Sequence, residues 1–413
     1  MRILFLSNLY PPNVVGGYER LCYEVAAGLS ARGHEIAVLT SDYGGRVAEY
    51  PGQQVERCWT LPVGSRAIYE PYDGAPRDRE KIAERNVHCL EQQIARFRPT
   101  VLFVWNLFFL DASLLAAIRR QTVPAVFLLT DNWLIATLNP RFWQQYFEKE
   151  VLGARRFPPG SLREWVVSCV RPRKAQRFRF EDRAIFASRY MESLYERAGF
   201  GFSDSTVIHH GISHADPAPD APRERLRDPG TLRLLFAGRV VEIKGVHTLI
   251  DALPHIIEGL PELHVRLAIV GDGGDPEYLK RLQERIGQLR LADHVDFQPA
   301  VPLAELPQLF ARHDLYVFPS LYEPFSLTLI HALRVGIPTI ASDAGGNVEI
   351  VLDGVTGKVF RRGNAGVLAR QAIELARDGS ARAALARAGR ELAGQFTFTR
   401  MLDGIERYLE ASR

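Results

Sequence analysis

Two cations lie in one short stretch bracketed by glycines, Gly238-Arg239-Val240-Val241-Glu242-Ile243-Lys244-Gly245, directly after an apolar run ending at Ala237. Glycine permits tight turns at both ends. The planar fork of Arg239 and the point charge of Lys244 can then clamp a diphosphate between them. A solvated loop of ordinary charges has the same composition; the position at the end of a strand favours the clamp. A second stretch, Glu323-Pro324-Phe325-Ser326-Leu327-Thr328-Leu329-Ile330-His331, sets a carboxylate just ahead of Ser326, a favourable helix N-cap. The unpaired N–H groups of Leu327 and Thr328, with the helix dipole, make an anion site that needs no metal. A carboxylate beside such a site is electrostatically costly unless it holds something, and the plain alternative for Glu323 is a surface residue without a partner. His331 can accept one hydrogen bond and donate one, or simply pack on its helix.

These residues need elements to carry them. Short apolar runs alternate with amphipathic patterns along the whole chain, the signature of parallel sheets covered by helices. Strands are predicted at Ile3 to Leu6, Ile36 to Leu39, Val101 to Trp105, Ala125 to Leu129, Ala184 to Ala187 and Thr206 to Ile208. A second series follows at Leu232 to Ala237, Val265 to Val270, Val295 to Phe297, Leu315 to Phe318 and Thr339 to Ala341. Between the series, residues 211–230 hold four prolines and no apolar period, which reads as an interdomain linker. Tyr18, Leu21, Cys22, Val25, Ala26 and Leu29 recur at helical spacing until Gly33 stops the helix. Residues Phe398 to Ala411 form a last amphipathic helix. Doubly wound sheets of this kind place ligands at the carboxyl ends of their strands.

Composition bounds the function without choosing it. At 413 residues, with 46% hydrophobic and 24% charged, the chain is an ordinary two-domain enzyme rather than a fibrous, repeat or disordered protein. A net charge of +3 selects no partner. Cys22, Cys58, Cys89 and Cys169 are dispersed without a CxxC pair, which argues against a zinc site and a disulfide framework and for a reducing compartment. The first apolar run stops at Ser7, too short for a signal segment or a membrane span. Between Arg155 and Arg179 eight Lys or Arg face the single acid Glu164, with Trp165, Val166 and Val167 interleaved. That face suits an anionic membrane or an acidic acceptor as well as plain solvent; its aromatics are not spaced to stack bases, so nucleic acid is disfavoured. Gly271-Asp272-Gly273-Gly274 fails as a dinucleotide fingerprint because Pro276 stands where the third glycine belongs.

Taken together, the two motif stretches resemble the nucleotide-sugar site of the retaining GT-B glycosyltransferases of family 4, whose pattern is a Glu, seven residues, and a second Glu. Here Glu323 matches the first and His331 replaces the second. The resemblance implies an α/β fold of two doubly wound Rossmann-like domains facing across a cleft. Residues 1–210 would bind the acceptor, 211–230 would link, and 231–397 would bind the nucleotide-sugar, with a terminal helix of about 398–413 returning to the first domain. It implies that Arg239 and Lys244 bind the donor pyrophosphate and steady the leaving group. It also implies that Glu323 holds donor-sugar hydroxyls, that Ser326, Leu327 and Thr328 complete the anion cradle, and that His331 keeps one ribose contact.

The loop Pro11-Pro12-Asn13-Val14-Val15-Gly16-Gly17-Tyr18-Glu19 resembles the family's first glycine loop, so Gly16 and Gly17 become donor contacts; paired glycines also make plain turns. Many members carry a His where Thr130 stands; Thr130 still offers a hydroxyl, and Asp131 either orients a substrate or caps a turn. The implied donor is a nucleoside diphosphate sugar, UDP-sugar ahead of GDP-sugar, used without metal or other cofactor. The acceptor is a glycan, lipid or natural product, and the place of work is the cytoplasm or the inner face of its membrane. Two rivals stand beside this reading: a non-catalytic nucleotide-sugar-binding partner subunit, motivated by His331 and Thr130, and a nucleotide-sugar epimerase.

Overall fold

A computed structural model describes residues 1–14, 16–45, 49–64, 68–153, 177–213, 226 and 228–412. Most of the basic face from Arg155 to Arg179 and most of the linker lie outside the described residues. The chain divides into two compact units: Met1–Glu150 with Ala154–His209 and Met401–Arg413, and Val151–Gly153 with His210–Arg400.

The first unit is built on strands β1 (Arg2–Ser7), β2 (Glu35–Ser41), β3 (Gln53–Trp59), β4 (Val101–Asn106), β5 (Ala125–Leu129), β7 (Arg183–Phe186) and β9 (Asp204–Val207). They form a parallel sheet in the order β3-β2-β1-β4-β5-β7-β9. The short strands β6 (Phe178–Arg179) and β8 (Phe200–Gly201) pair separately. Helices α1 (Gly17–Ala31), α2 (Pro76–Phe97), α3 (Ala112–Arg119), α4 (Trp133–Leu138), α5 (Pro140–Tyr146) and α6 (Arg189–Arg197) connect and cover the strands. The central strands are apolar on both faces because both are covered: Ile3 to Leu6 and Val101 to Val104 have no exposed surface. Helix α1 buries Leu21, Cys22, Val25, Ala26 and Leu29 along one stripe and ends where Gly33 takes a φ of 89°.

Strand β3 was not expected from sequence. At the edge of its sheet it mixes polar and apolar residues without a period, Gln53-Gln54-Val55-Glu56-Arg57-Cys58-Trp59, and lacks the apolar run that marks its neighbours. The expectation of unpaired cysteines is corrected here too. Cys58 of β3 and Cys89 of α2 form a disulfide across 31 residues of sequence, because α2 packs along β3 and brings their Cα atoms within 6.4 Å. Cys22 is a buried free thiol, and Cys169 lies outside the described residues.

The second unit carries β10 (Thr231–Ala237), β11 (His264–Val270), β12 (Val295–Gln298), β13 (Leu315–Phe318), β14 (Thr339–Ser342) and β15 (Lys358–Phe360). They are parallel in the order β12-β11-β10-β13-β14-β15. Around them lie α7 (Val246–Gly259), α8 (Pro276–Gln288), α9 (Leu306–Ala311), α10 (Leu327–Val335), α11 (Ala365–Arg377) and α12 (Gly379–Ala393). The last helix, α13 (Phe398–Glu410), belongs to the first unit from Met401 onward. It buries Met401, Leu402, Ile405 and Leu409 there. Arg32 binds Asp403 and Glu406 at 2.6 and 2.5 Å, and the Arg183 guanidinium lies 3.9 Å from the Tyr408 ring centroid.

In each sheet the strand order reverses beside the first strand: β1 lies between β2 and β4, and β10 between β11 and β13. Loops leaving the carboxyl ends there diverge to opposite faces and leave a crevice for a ligand.

Candidate active site

In the second unit, the loops after β10 and β13 are joined through their main chains. The Leu321 N–H donates to the Ile243 carbonyl at 2.8 Å, and the Tyr322 N–H reaches the same oxygen at 3.4 Å. Gly245 makes this approach feasible: its φ is 66°, and a Cβ there would stand 2.1 Å from the Pro319 carbonyl oxygen. Lys244 is thereby delivered to Glu323, its Nζ donating to Oε2 at 2.5 Å. The ammonium also lies 5.4 Å from the centroid of the Phe318 ring. With the side chains 16% and 9% exposed, the pair is largely desolvated. The Gly346 N–H donates to the Glu323 carbonyl at 2.9 Å, so the stretch Asp343–Glu349 holds the main chain of Glu323 directly.

Ser326 caps α10: its Oγ accepts from the Leu329 N–H at 3.3 Å. Leu327 and Thr328 open the helix, where N–H groups have no acceptor in a preceding turn. Replacing Ser326 by Ala should cost about 1 kcal/mol of stability; an unchanged urea midpoint would remove the cap from this account. His331 follows one turn later on the same face. Burial, with a smaller push from Arg334, lowers its imidazole to about 4, so it is neutral near pH 7 and can accept through one nitrogen. A folded value below the ordinary ~6.5 means that the unfolded chain binds the extra proton first. His331 therefore withdraws stability as pH falls from about 6.5 through about 4. His331→Gln should flatten that part of the stability curve, measured by urea titration at several pH values; an unaltered slope would contradict it.

Arg239 is exposed and, among the described residues, forms no ion pair. Its loop is pinned to the Gly271–Gly274 stretch: the Gly238 N–H donates to the Val270 carbonyl at 3.0 Å and the Val240 N–H to the Asp272 carbonyl at 2.9 Å. The structure thus joins Lys244 to Glu323 and leaves Arg239 outside that pair.

In the first unit, Gly16 is the N-cap of α1 and Gly17 its first residue. The Gly16 N–H donates at 2.9 Å to Oε2 of Glu19, a carboxylate with no exposed surface. The Tyr18 hydroxyl donates to Asn8 Oδ1 at 2.8 Å, the Asn8 N–H to the Asn106 carbonyl at 2.7 Å, and Asn106 Nδ2 to Asp131 Oδ2 at 3.0 Å. One polar chain therefore crosses the carboxyl ends of β1, β4 and β5. Asp131, one residue ahead of the α4 N-cap Asn132, also accepts from the Trp133 N–H at 2.9 Å. Burial pushes its carboxyl up to about 6 against that hydrogen bond, and the nearby Glu19 charge adds to the rise. Thr130 is 7% exposed, and its Oγ1 has no hydrogen-bond partner among the described residues. From the sequence, Gly16, Gly17, Thr130 and Asp131 are singled out, Tyr18 and Glu19 belong to the glycine loop without an assigned contact, and Asn8 and Asn106 are passed over. A signal was present: Asn8 and Asn106 are polar residues placed where the apolar runs of β1 and β4 stop.

Among the described residues one group has metal-ligand spacing, His34, Glu406 and Glu410, whose donor atoms lie within 4.8 Å of one another. Two of its members are engaged already: Glu406 by Arg32 at 2.5 Å and His34 Nε2 at 2.7 Å, and His34 Nδ1 by a hydrogen bond with the Met1 amine at 2.9 Å.

Two doubly wound parallel sheets, each with polar residues at the reversal of strand order, make up the GT-B fold. A family model described as Glycosyltransferase Family 4 matches residues 15–216, and one described as Glycosyl transferases group 1 matches residues 219–392. The chain belongs to the family 4 glycosyltransferases and is a nucleotide-sugar glycosyltransferase. It is 29% identical over 372 residues to a glycogen synthase of Mycobacterium tuberculosis, covering 86% of this chain and 81% of that one. It is 32% identical over 228 residues to a GDP-mannose-dependent alpha-(1-6)-phosphatidylinositol monomannoside mannosyltransferase of Mycolicibacterium smegmatis, covering 51% of this chain and 57% of the relative. Among solved structures, Anabaena Alr3699/HepE in complex with UDP-glucose superposes with a TM-score of 0.68 at 23% identity over the whole of both chains. No helix among the described residues is long and apolar enough to cross a membrane.

Proposed function

We propose that this protein transfers a hexose from a nucleoside diphosphate sugar to an acceptor hydroxyl with retention of anomeric configuration and without a metal. The observation that carries the reading is the 2.5 Å contact between Lys244 and Glu323 at the mouth of α10. In this reading Lys244 is the cation for the departing diphosphate and Glu323 the carboxylate for the sugar hydroxyls, and their contact supports it. In the proposed step the bond from the anomeric carbon to the phosphate oxygen breaks. The acceptor oxygen bonds to that carbon on the same face, and the acceptor proton passes to the leaving phosphate. Lys244, Arg239 and the N–H groups of Leu327 and Thr328 stabilise the charge gathering on the phosphate, an effect worth about 3 kcal/mol per well-placed donor. Glu323 orients the sugar, and Gly16 and Gly17 bring main chain to the phosphate. Thr130 offers its unpartnered hydroxyl to a substrate, and His331 accepts one ribose hydroxyl.

The donor is a UDP-sugar ahead of a GDP-sugar; the GDP-mannose dependence of the Mycolicibacterium relative keeps GDP in the test. The acceptor is a glycan, lipid or natural product, reached in the cytoplasm or at the inner face of its membrane, with the basic stretch from Arg155 to Arg179 as the surface that would meet anionic lipid. A thermal-shift panel of nucleoside diphosphates and their sugars tests the site. A true ligand at 100 times its dissociation constant adds about 2.7 kcal/mol, and an acceptor should trigger release of free diphosphate. Absence of any shift at millimolar ligand would sink the reading. His331→Glu restores a second acceptor oxygen and should tighten diphosphate binding about fivefold, roughly one hydrogen bond; unchanged affinity would end the ribose role.

A further inference from the structure

Arg57, near the carboxyl end of edge strand β3, is 8% exposed. A guanidinium keeps its proton in any protein environment, so a buried one must be solvated by the chain itself. Nη1 donates to the Ser41 carbonyl at 3.1 Å. Nη2 donates to the Tyr10 carbonyl at 3.2 Å, the Pro11 carbonyl at 2.5 Å and the Tyr50 hydroxyl at 2.7 Å. The Tyr50 hydroxyl in turn donates to the Pro11 carbonyl at 2.5 Å. Each of these acceptors is neutral, and among the described residues no carboxylate pairs with Arg57.

Tyr10 and Pro11 begin the chain that leads from β1 into the Gly16–Gly17 turn. Tyr10 is fully buried, its ring packed 6.0 and 5.6 Å from those of Tyr23 and Tyr50. We propose that Arg57 is a positioning residue for the donor phosphate, a role that rests on the reading of Gly16 and Gly17 as phosphate contacts. Its fork turns two carbonyl dipoles inward and so fixes where the chain enters the turn. Its charge, weakly screened because it is buried, adds positive potential at an end of the sheet that also carries the Glu19 and Asp131 carboxyl groups. A neutral side chain could fill the space; it could not supply both effects.

The test measures the dissociation constants of UDP and GDP by calorimetry on the full chain, beside donor KM, acceptor KM and kcat. Arg57→Gln should weaken diphosphate binding about tenfold and raise donor KM in step while acceptor KM holds. Arg57→Lys, which keeps the charge and loses the fork, should recover part of the loss. A merely structural arginine would lower the active fraction but leave the dissociation constant of the folded remainder unchanged, and that result overturns the proposal. If Arg57→Gln does not fold, Tyr50→Phe removes one partner of the fork and should weaken binding about threefold; unchanged affinity there is equally fatal. Gly17→Val separates the premises. Unaltered diphosphate binding in that variant refutes the glycine turn as a phosphate contact. Binding lost in Gly17→Val but kept in Arg57→Gln refutes Arg57 alone.

Discussion

Lys244→Ala lowers turnover by about two to three orders of magnitude, the usual cost of deleting one donor aimed at a developing oxyanion. It also lowers stability, because Glu323 is left 7% exposed with its ammonium partner removed. Breaking one side of a desolvated pair costs about 3–5 kcal/mol, mostly the penalty of stranding the remaining charge. The double variant Lys244→Met with Glu323→Leu removes that stranded charge and should regain most of the stability while staying inactive. Urea midpoints and initial rates for the two variants settle the matter. If Lys244→Ala keeps a third of wild-type turnover, the pair is a structural ion pair and the proposed leaving-group role is lost.

Arg239→Ala should slow turnover by about two orders of magnitude, yet leave the unfolding midpoint where it was. Its side chain is exposed and forms no ion pair among the described residues, and surface substitutions of that kind move stability by about 0.5 kcal/mol or less. The two cations of one loop thus carry opposite signatures, activity with stability for Lys244 and activity alone for Arg239. The difference follows from the Leu321–Ile243 main-chain bond, which draws Lys244 under the next loop while Arg239 stays on the open side. A loss smaller than threefold in Arg239→Ala would strike it from the mechanism.

Much of this architecture was legible in the sequence because its central strands are buried on both faces. Continuous apolar runs such as Val101 to Trp105 announce themselves, and Ser326 marked the start of α10 by the chemistry of a cap. Edge strands betray less. Gln53–Trp59 is mostly polar and has no apolar period, and with it were lost the Cys58–Cys89 pair and the burial of Arg57. In the site, motif spacing named Arg239, Lys244 and Glu323, but the Lys244–Glu323 contact spans 79 residues and depends on two loops meeting at Gly245, which no local pattern encodes. The buried chain through Asn8, Asn106 and Asp131 is harder still to read, since each member comes from a different strand end.

The return of α13 to the first unit constrains how this gene can be divided. A fragment of residues 1–209 would lack Met401, Leu402, Ile405 and Leu409, and would present the apolar seat of that helix to water. Arg32 would lose both of its acids, and Arg183 its ring. No single scission therefore yields two self-sufficient halves. The amino-terminal half becomes whole only when residues 401–412 are grafted back onto it or supplied as a separate peptide.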